Sequence, residues 1–313
     1  MTPSTRAQLQ IHLCVLLWGF TAILGKLITL PALPLVWWRM LLVAAALALV
    51  PRVWRGVRAM PRRLVLAYAG VGVLVGLHWL TFYGAVKLAN ASVAATCMAL
   101  ATVFVALVEP KLAGRRFSRA ELALGVAVLP GVALVVGGIP DGMRIGVAVG
   151  ALSALFVALF GSLNKRLVEH ADPLVVTAVE LGAGALALTL LAPLMPMLFP
   201  AFAGPLFVLP GAADAGWLLL LAFACTLFPF ALSLAALRHM SAFSAQLAVN
   251  LEPVYAIVLA MLLLSEQQEL SLPFYLGVAI ILGAVLVHPV LARPRRITHP
   301  EALAVGESRD VTD

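Results

Sequence analysis

The sequence predicts an all-α integral membrane protein of ten transmembrane helices arranged as two inverted five-helix repeats. Three observations lead there: apolar runs long enough to span a bilayer recur from end to end, basic residues keep to alternate connections, and the second half echoes the first. Of the 313 residues, 63% are apolar and 11% charged, and the mean hydropathy is +1.06. No soluble core consumes that much apolar surface. A spanning helix needs roughly 20 predominantly apolar residues.

Pro, Gly and charged breaks divide the chain into helices at about 8–30, 34–50, 64–88, 92–112, 120–138, 145–163, 173–191, 214–237, 244–264 and 273–290. The first is not read as a signal peptide, because 11–30 is too long for an h-region and no small-x-small cleavage site follows. Gly72 with Gly76, and Gly146 with Gly150, have the spacing that lets helices approach closely, or that simply reflects ordinary packing.

Orientation follows from Lys and Arg, which cytoplasmic connections retain. With the N-terminus inside, 17 of the 21 basic residues fall on the inner side, five of them (Arg52, Arg55, Arg58, Arg62 and Arg63) in the connection 51–63. The outer connections keep Lys87 and Arg144, while Lys26 and Arg39 lie in the outer parts of helices. An even number of crossings preserves this alternation and leaves both termini cytoplasmic, the setting being a bacterial-type inner membrane. The net charge of +7 is therefore accounted for by topology, and nucleic acid is excluded as a partner.

Sliding the chain by 139 residues places Lys26 on Lys165 and Pro34-Leu35-Val36 on Pro173-Leu174-Val175; sliding by 152 places Ala89 on Ser241, Ser92 on Ser244 and Gly125 on Gly277. The expected units are 1–144 and 145–292, followed by a cytoplasmic polar tail, 293–313. Five crossings per unit invert the second relative to the first, an architecture secondary transporters use to expose a midplane site to each side in turn.

Cys14, Cys97 and Cys225 lie in apolar stretches without CxxC spacing, so neither a disulfide framework nor a metal site is indicated. The sequence contains no HExxH, no GxSxG and no paired metal-binding carboxylates at helical spacing, which argues against an intramembrane enzyme. Charges scattered through the helices, not set in rings, favour a carrier over a channel-like scaffold. A small-molecule transporter without a cofactor is the expectation; an intramembrane enzyme or a channel is the alternative.

Several motifs resemble the EamA-type family of the drug/metabolite transporter superfamily. They are Trp18-Gly19-Phe20-Thr21, Trp38-Arg39, the run His78-Trp79-Leu80-Thr81-Phe82-Tyr83-Gly84-Ala85 before Ser92, and Asn250-Leu251-Glu252-Pro253-Val254-Tyr255 followed by Ser265-Glu266 and Gly277. The likeness covers about residues 8–292. The first half carries Ala101 where the second has Pro253, and Gly114 where it has Glu266. The resemblance implies a ten-helix bundle of inverted repeats that exports metabolites, amino acids or toxic compounds through a central cavity lined by helices one, three, four, six, eight and nine.

Candidate pathway residues follow from the cost of placing polar groups in hydrocarbon. Glu252 lies about 12 Å from the inner end of its helix at 1.5 Å per residue, and Pro253 frees the carbonyl of Val249 from its helical partner. It is read as a substrate or proton site, or else as one half of a packing pair. Gln246, Asn250 and Pro253 share a face, whereas Glu252 is turned about 200° from Asn250 at 100° per residue. Either Pro253 distorts the helix or one set packs against a neighbour. Glu180 is read as a pathway residue or a structural hydrogen-bonding group. Arg39 and Lys26 either enter the pathway or snorkel toward an aromatic belt. His78 and Trp79, with Phe82 and Tyr83 a turn later, and Trp18 are read as cavity lining or as satisfied core. Aromatic walls with a few polar anchors suit an amphiphilic organic solute, amino-acid-like or cationic, with proton coupling as an option through Glu252.

Overall fold

The computed structural model describes residues 3–114, 116–249 and 251–291, with side chains to 284; Asn250, Arg115 and the tail 293–313 lie outside the described residues. Among the described residues every regular element is helical. The chain opens with α1 (Pro3–Leu27), α2 (Ala32–Ala48), α3 (Pro51–Ala59) and α4 (Arg62–Leu88). A 3₁₀ turn at Met98–Leu100 joins α5 (Ala91–Cys97) to α6 (Ala101–Leu112), and α7 (Arg119–Ala127) continues into α8 (Leu129–Gly137). The second half runs through α9 (Arg144–Leu167), α10 (Pro173–Leu191), the single turn α11 (Met195–Leu198), α12 (Ala212–Ala222), α13 (Phe228–Leu237), α14 (Ala242–Val249), α15 (Glu252–Leu264) and α16 (Leu272–Leu291). Among the described residues, eight helical stretches are long and apolar enough to cross a membrane, nine if α2 and α3 count together; in α16 the described apolar stretch, Leu272–Ala284, is shorter.

Proline sets several of the breaks. Pro51 begins α3 after an extended Val50, and α3 leaves α2 at 91°. What reads as a basic loop in the sequence is thus a helix, held by burial of Val53 and by an ion pair of 2.6 Å from Arg52 to Asp172. Pro173 stands at the first turn of α10, where its missing N–H costs nothing, and Asp172 caps that turn through Leu174 N. Ahead of Pro229 the helix widens into a π turn, Phe223–Leu227, between α12 and α13. Extra residues of this kind commonly mark functional sites.

Hydrogen bonds between segments sort the connections onto two faces. On one, Tyr68 donates to Leu167 O (2.7 Å) and Lys165 to Leu237 O (2.7 Å), while Arg238 donates to Val168 O (3.1 Å) and Ala171 O (2.6 Å). This basic face also holds Arg52 with Asp172. On the other, Thr29 N and Oγ1 bind Asp214 (2.8 and 2.7 Å), Lys87 donates to Ile28 O, and Ser271 Oγ donates to Gly138 O (2.8 Å).

Close approach is built with glycine. A Cβ on Gly72 of α4 would stand 2.1 Å from Glu180 O of α10, and one on Gly184 of α10 would stand 2.6 Å from Gly72 O. Gly131 of α8 and Gly277 of α16 repeat the arrangement, each facing the other's carbonyl. Backbones in such contact gain dispersion and weak C–H···O interactions that side chains would prevent.

Candidate functional site

A cavity of about 130 Å³ lies among α1, α2, α4, α6, α9, α13, α14 and α15. Its walls are mainly apolar and aromatic, with Trp18 from α1, Trp79 and Phe82 from α4, Phe160 from α9 and Phe230 from α13. Arg39, His78, Gln246 and Glu252 bring polar groups to the same space.

Arg39 is 2% exposed, which excludes snorkelling to an interface. Its guanidinium lies 3.8 Å above the Trp79 ring centroid, a cation–π geometry. Nε donates to Thr226 Oγ1, Nη1 to Tyr83 OH at 3.0 Å, and Nη2 to Cys225 O at 3.4 Å. The π turn supplies two of these acceptors: Thr226 Oγ1 in turn donates to Leu221 O at 2.6 Å, and the Cys225 carbonyl lacks a helical donor because Pro229 has no N–H. Three of the five guanidinium N–H groups are engaged, which leaves two for the cavity.

Glu252 opens α15, and just ahead of it Leu251 N donates to Ala248 O (3.0 Å). In a regular helix Gln246 and Glu252 would point about 120° apart at 100° per residue. Both line the cavity. Among the described residues no hydrogen bond reaches the Glu252 carboxylate; Arg39 acts on it electrostatically without forming a direct ion pair. Gln246 Nε2 is likewise buried without a partner there.

His78 Nδ1 lies 3.0 Å from Ser153 O, and Ser153 Oγ donates back to His78 O at 2.9 Å. Ser153 Oγ also lies 2.8 Å from Nδ1, so Ser153 fixes the ring from one edge while Phe160 packs against it. Of the residues expected from sequence, Trp18, Arg39, His78, Trp79, Gln246 and Glu252 therefore meet around one cavity. Tyr83 stands behind Arg39 as its hydrogen-bond partner and does not line the space. Glu180 does not line it either. That side chain is buried, and Asn164 Nδ2 donates to its Oε2 at 3.3 Å, while Glu180 Oε1 and Asn164 Oδ1 lack partners among the described residues. Asn250 lies outside the described residues.

The chain matches the EamA-like transporter family over residues 5–137 and again over 144–288. It belongs to that family. No curated protein matches it. A crystal structure with 21% identity covers 92% of this chain and 98% of its own, with a TM-score of 0.65, a likeness that shows the fold. The EamA-like assignment makes this a multi-pass membrane protein of a transporter family.

Other residues of this EamA-like site were not singled out in the sequence. Thr226 and Cys225 hold Arg39 from across the bundle, and only the Pro229 downstream hints that the helix there is irregular. Outside the cavity, Glu109 is a carboxylate buried beside Pro110 in an apolar run.

Proposed function

We propose that the protein carries a small amphiphilic organic solute, amino-acid-like or cationic, by alternating access, in the direction of export. The observation that carries this reading is an aromatic-lined cavity with two opposite charges, Arg39 and Glu252, on its wall and, among the described residues, no direct ion pair between them. Buried charges are retained where something compensates them. A zwitterion matches both groups at once, so the pair favours an amino-acid-like solute over a simple cation. The same reading takes α2 with α3, and α16, as spans alongside the eight long stretches. The ten crossings then form two inverted halves, 1–144 and 145–292, with the tail 293–313 and both termini on the cytoplasmic side of an inner membrane. The paired family match and the clustering of Arg52, Lys165 and Arg238 on one face support it.

Reconstituted protein and a panel of labelled amino acids and amines test the function. Saturable uptake accelerated by unlabelled solute on the far side is expected; linear, non-saturating flux would mean a channel, and chemically altered solute an enzyme. Glu252→Gln then separates roles. If Glu252 couples protons, exchange between two pools persists while accumulation driven by a pH gradient is lost. If it holds a cationic group, binding weakens by about 1.5–3 kcal/mol, the worth of a charge-assisted hydrogen bond. Normal affinity and normal accumulation would remove both roles.

Topology has its own test. A lone cysteine at Ala59, in a background without Cys14, Cys97 and Cys225, is expected to resist an impermeant maleimide in intact cells. Labelling there would reverse the orientation.

A further inference from the structure

Two carboxylates outside the cavity each hold the start of a helix from the other half of the chain. Glu109, near the end of α6, accepts Ala242 N at 2.8 Å and Phe243 N at 2.9 Å. Glu266, in the turn after α15, accepts Ala91 N and Ser92 N at 3.0 Å each and Ser92 Oγ at 2.7 Å. Both carboxylates are buried, at 1% and 2% exposure. A helix start leaves its first N–H groups unsatisfied and carries partial positive charge, and a carboxylate spanning two of them is a strong, desolvated clasp.

The two clasps repeat one design. At the α5 start Asn90 Oδ1 accepts Val93 N at 2.9 Å, and at the α14 start Ser241 Oγ accepts Ser244 N at 3.0 Å. In each case the local cap takes the amide three residues on, while the distant glutamate takes the two amides between. The capped residues are 151 positions apart, one fewer than the sliding overlay of the sequence suggests. The clasps sit at opposite ends of the bundle. Glu109 lies near Leu112, whose carbonyl accepts from Arg166 on the basic face. Glu266 lies beside Glu269, whose carboxylate accepts from Asn90 on the other face.

The cavity runs between them. Ala242 and Val105 line it, so it abuts the Glu109 clasp. From Ser92 to Met98, the next residue on that strand of the path that lines it, is about 9 Å of helix. We infer that Glu109 and Glu266 are paired latches, the first closing the cavity toward the basic face and the second toward the opposite face. This rests on the alternating-access reading, in which one latch opens while the other holds; here both are engaged. Each bond set is worth a bias because the open state exposes the amides to water while the closed state binds them to a charge.

Glutamine at either position replaces one acceptor oxygen by a donor that opposes an amide N–H, so one latch loosens with little change in volume. Single cysteines at Ala245, on the basic side of the cavity, and at Thr21, on the other, report opening through their rates of reaction with an impermeant maleimide in proteoliposomes of known orientation. Glu109→Gln is expected to raise labelling at Ala245 by about 10-fold or more and lower it at Thr21; Glu266→Gln is expected to do the reverse. Changes of the same sign at both reporters would reveal general loosening and overturn the latches, as would no change. Should Glu266→Gln fold poorly, Ser92→Ala removes only the hydroxyl bond and is expected to shift the reporters in the same direction by a smaller factor. Glu109→Asp, which cannot reach both amides, does the same for the other end. Because labelling needs no solute, reciprocal shifts in a protein that transports nothing would uphold the latches while removing the carrier reading.

Discussion

Replacement of Arg39 by methionine is expected to destabilise the protein by about 3–5 kcal/mol, the usual cost of removing one member of a buried charged network. Methionine fills much of the same volume but leaves the Tyr83 hydroxyl, the Cys225 carbonyl and Thr226 without their donor, and leaves Glu252 in a desolvated cavity without a compensating charge. Thermal unfolding in detergent, followed by tryptophan fluorescence, measures the loss. Adding Glu252→Gln to Arg39→Met removes the stranded carboxylate, so the double variant is expected to be more stable than the sum of the single losses allows. Additive losses would mean that the two groups do not communicate, and an unchanged melting curve would mean that Arg39 contributes nothing.

The second large effect belongs to the α4–α10 contact. Gly72→Leu drives a side chain into the Glu180 carbonyl, where even a single Cβ would stand 2.1 Å away and the obstacle is backbone that cannot swing aside. A cost of about 3 kcal/mol or more is expected, at the upper end of overpacking, seen as loss of monodisperse protein on size exclusion. Gly70→Leu, two residues earlier on the same helix and with nothing near its Cβ, serves as the control and is expected to stay within about 0.5 kcal/mol of the parent. Equal behaviour of the two variants would show that α4 and α10 are not in backbone contact.

These cases show where sequence is a sufficient guide. Length and apolarity alone place the eight long stretches, because a lipid environment leaves the backbone few options other than helix. The expected helix over 173–191 agrees with α10, whose start is written in Asp172-Pro173. Reading α9 as ending at 163 stopped too soon. Asn164, Lys165 and Arg166 look like the polar end of a helix, yet they continue it to Leu167, since their side chains find Glu180, Leu237 O and Leu112 O. The nine residues of α3 were hidden in the same way, their arginines arguing for a loop while the burial of Val53 depends on packing no local pattern reveals.

The site was legible by residue type and less so by role. A charge in an apolar helix announces itself, so Glu252 and Arg39 stand out at once. Whether such a charge faces a cavity, lipid or a neighbour depends on partners far along the chain, and Thr226 is 187 residues from Arg39. Glu109 and Glu266 illustrate the same limit: the first half has Gly114 where the second has Glu266, and the structure supplies the matching carboxylate from another position.

The π turn at Phe223–Leu227 sets a rotational phase. It amounts to one residue more than a regular helix would use, so the segments on either side keep independent settings about the common axis. Deleting a single residue there would turn everything beyond it by about 100°. Asp214 would still hold Thr29 at one end, whereas Phe230, Ser233 and Leu237 would swing off the cavity wall at the other. In this span a one-residue gap is therefore a change of lining and not a change of length.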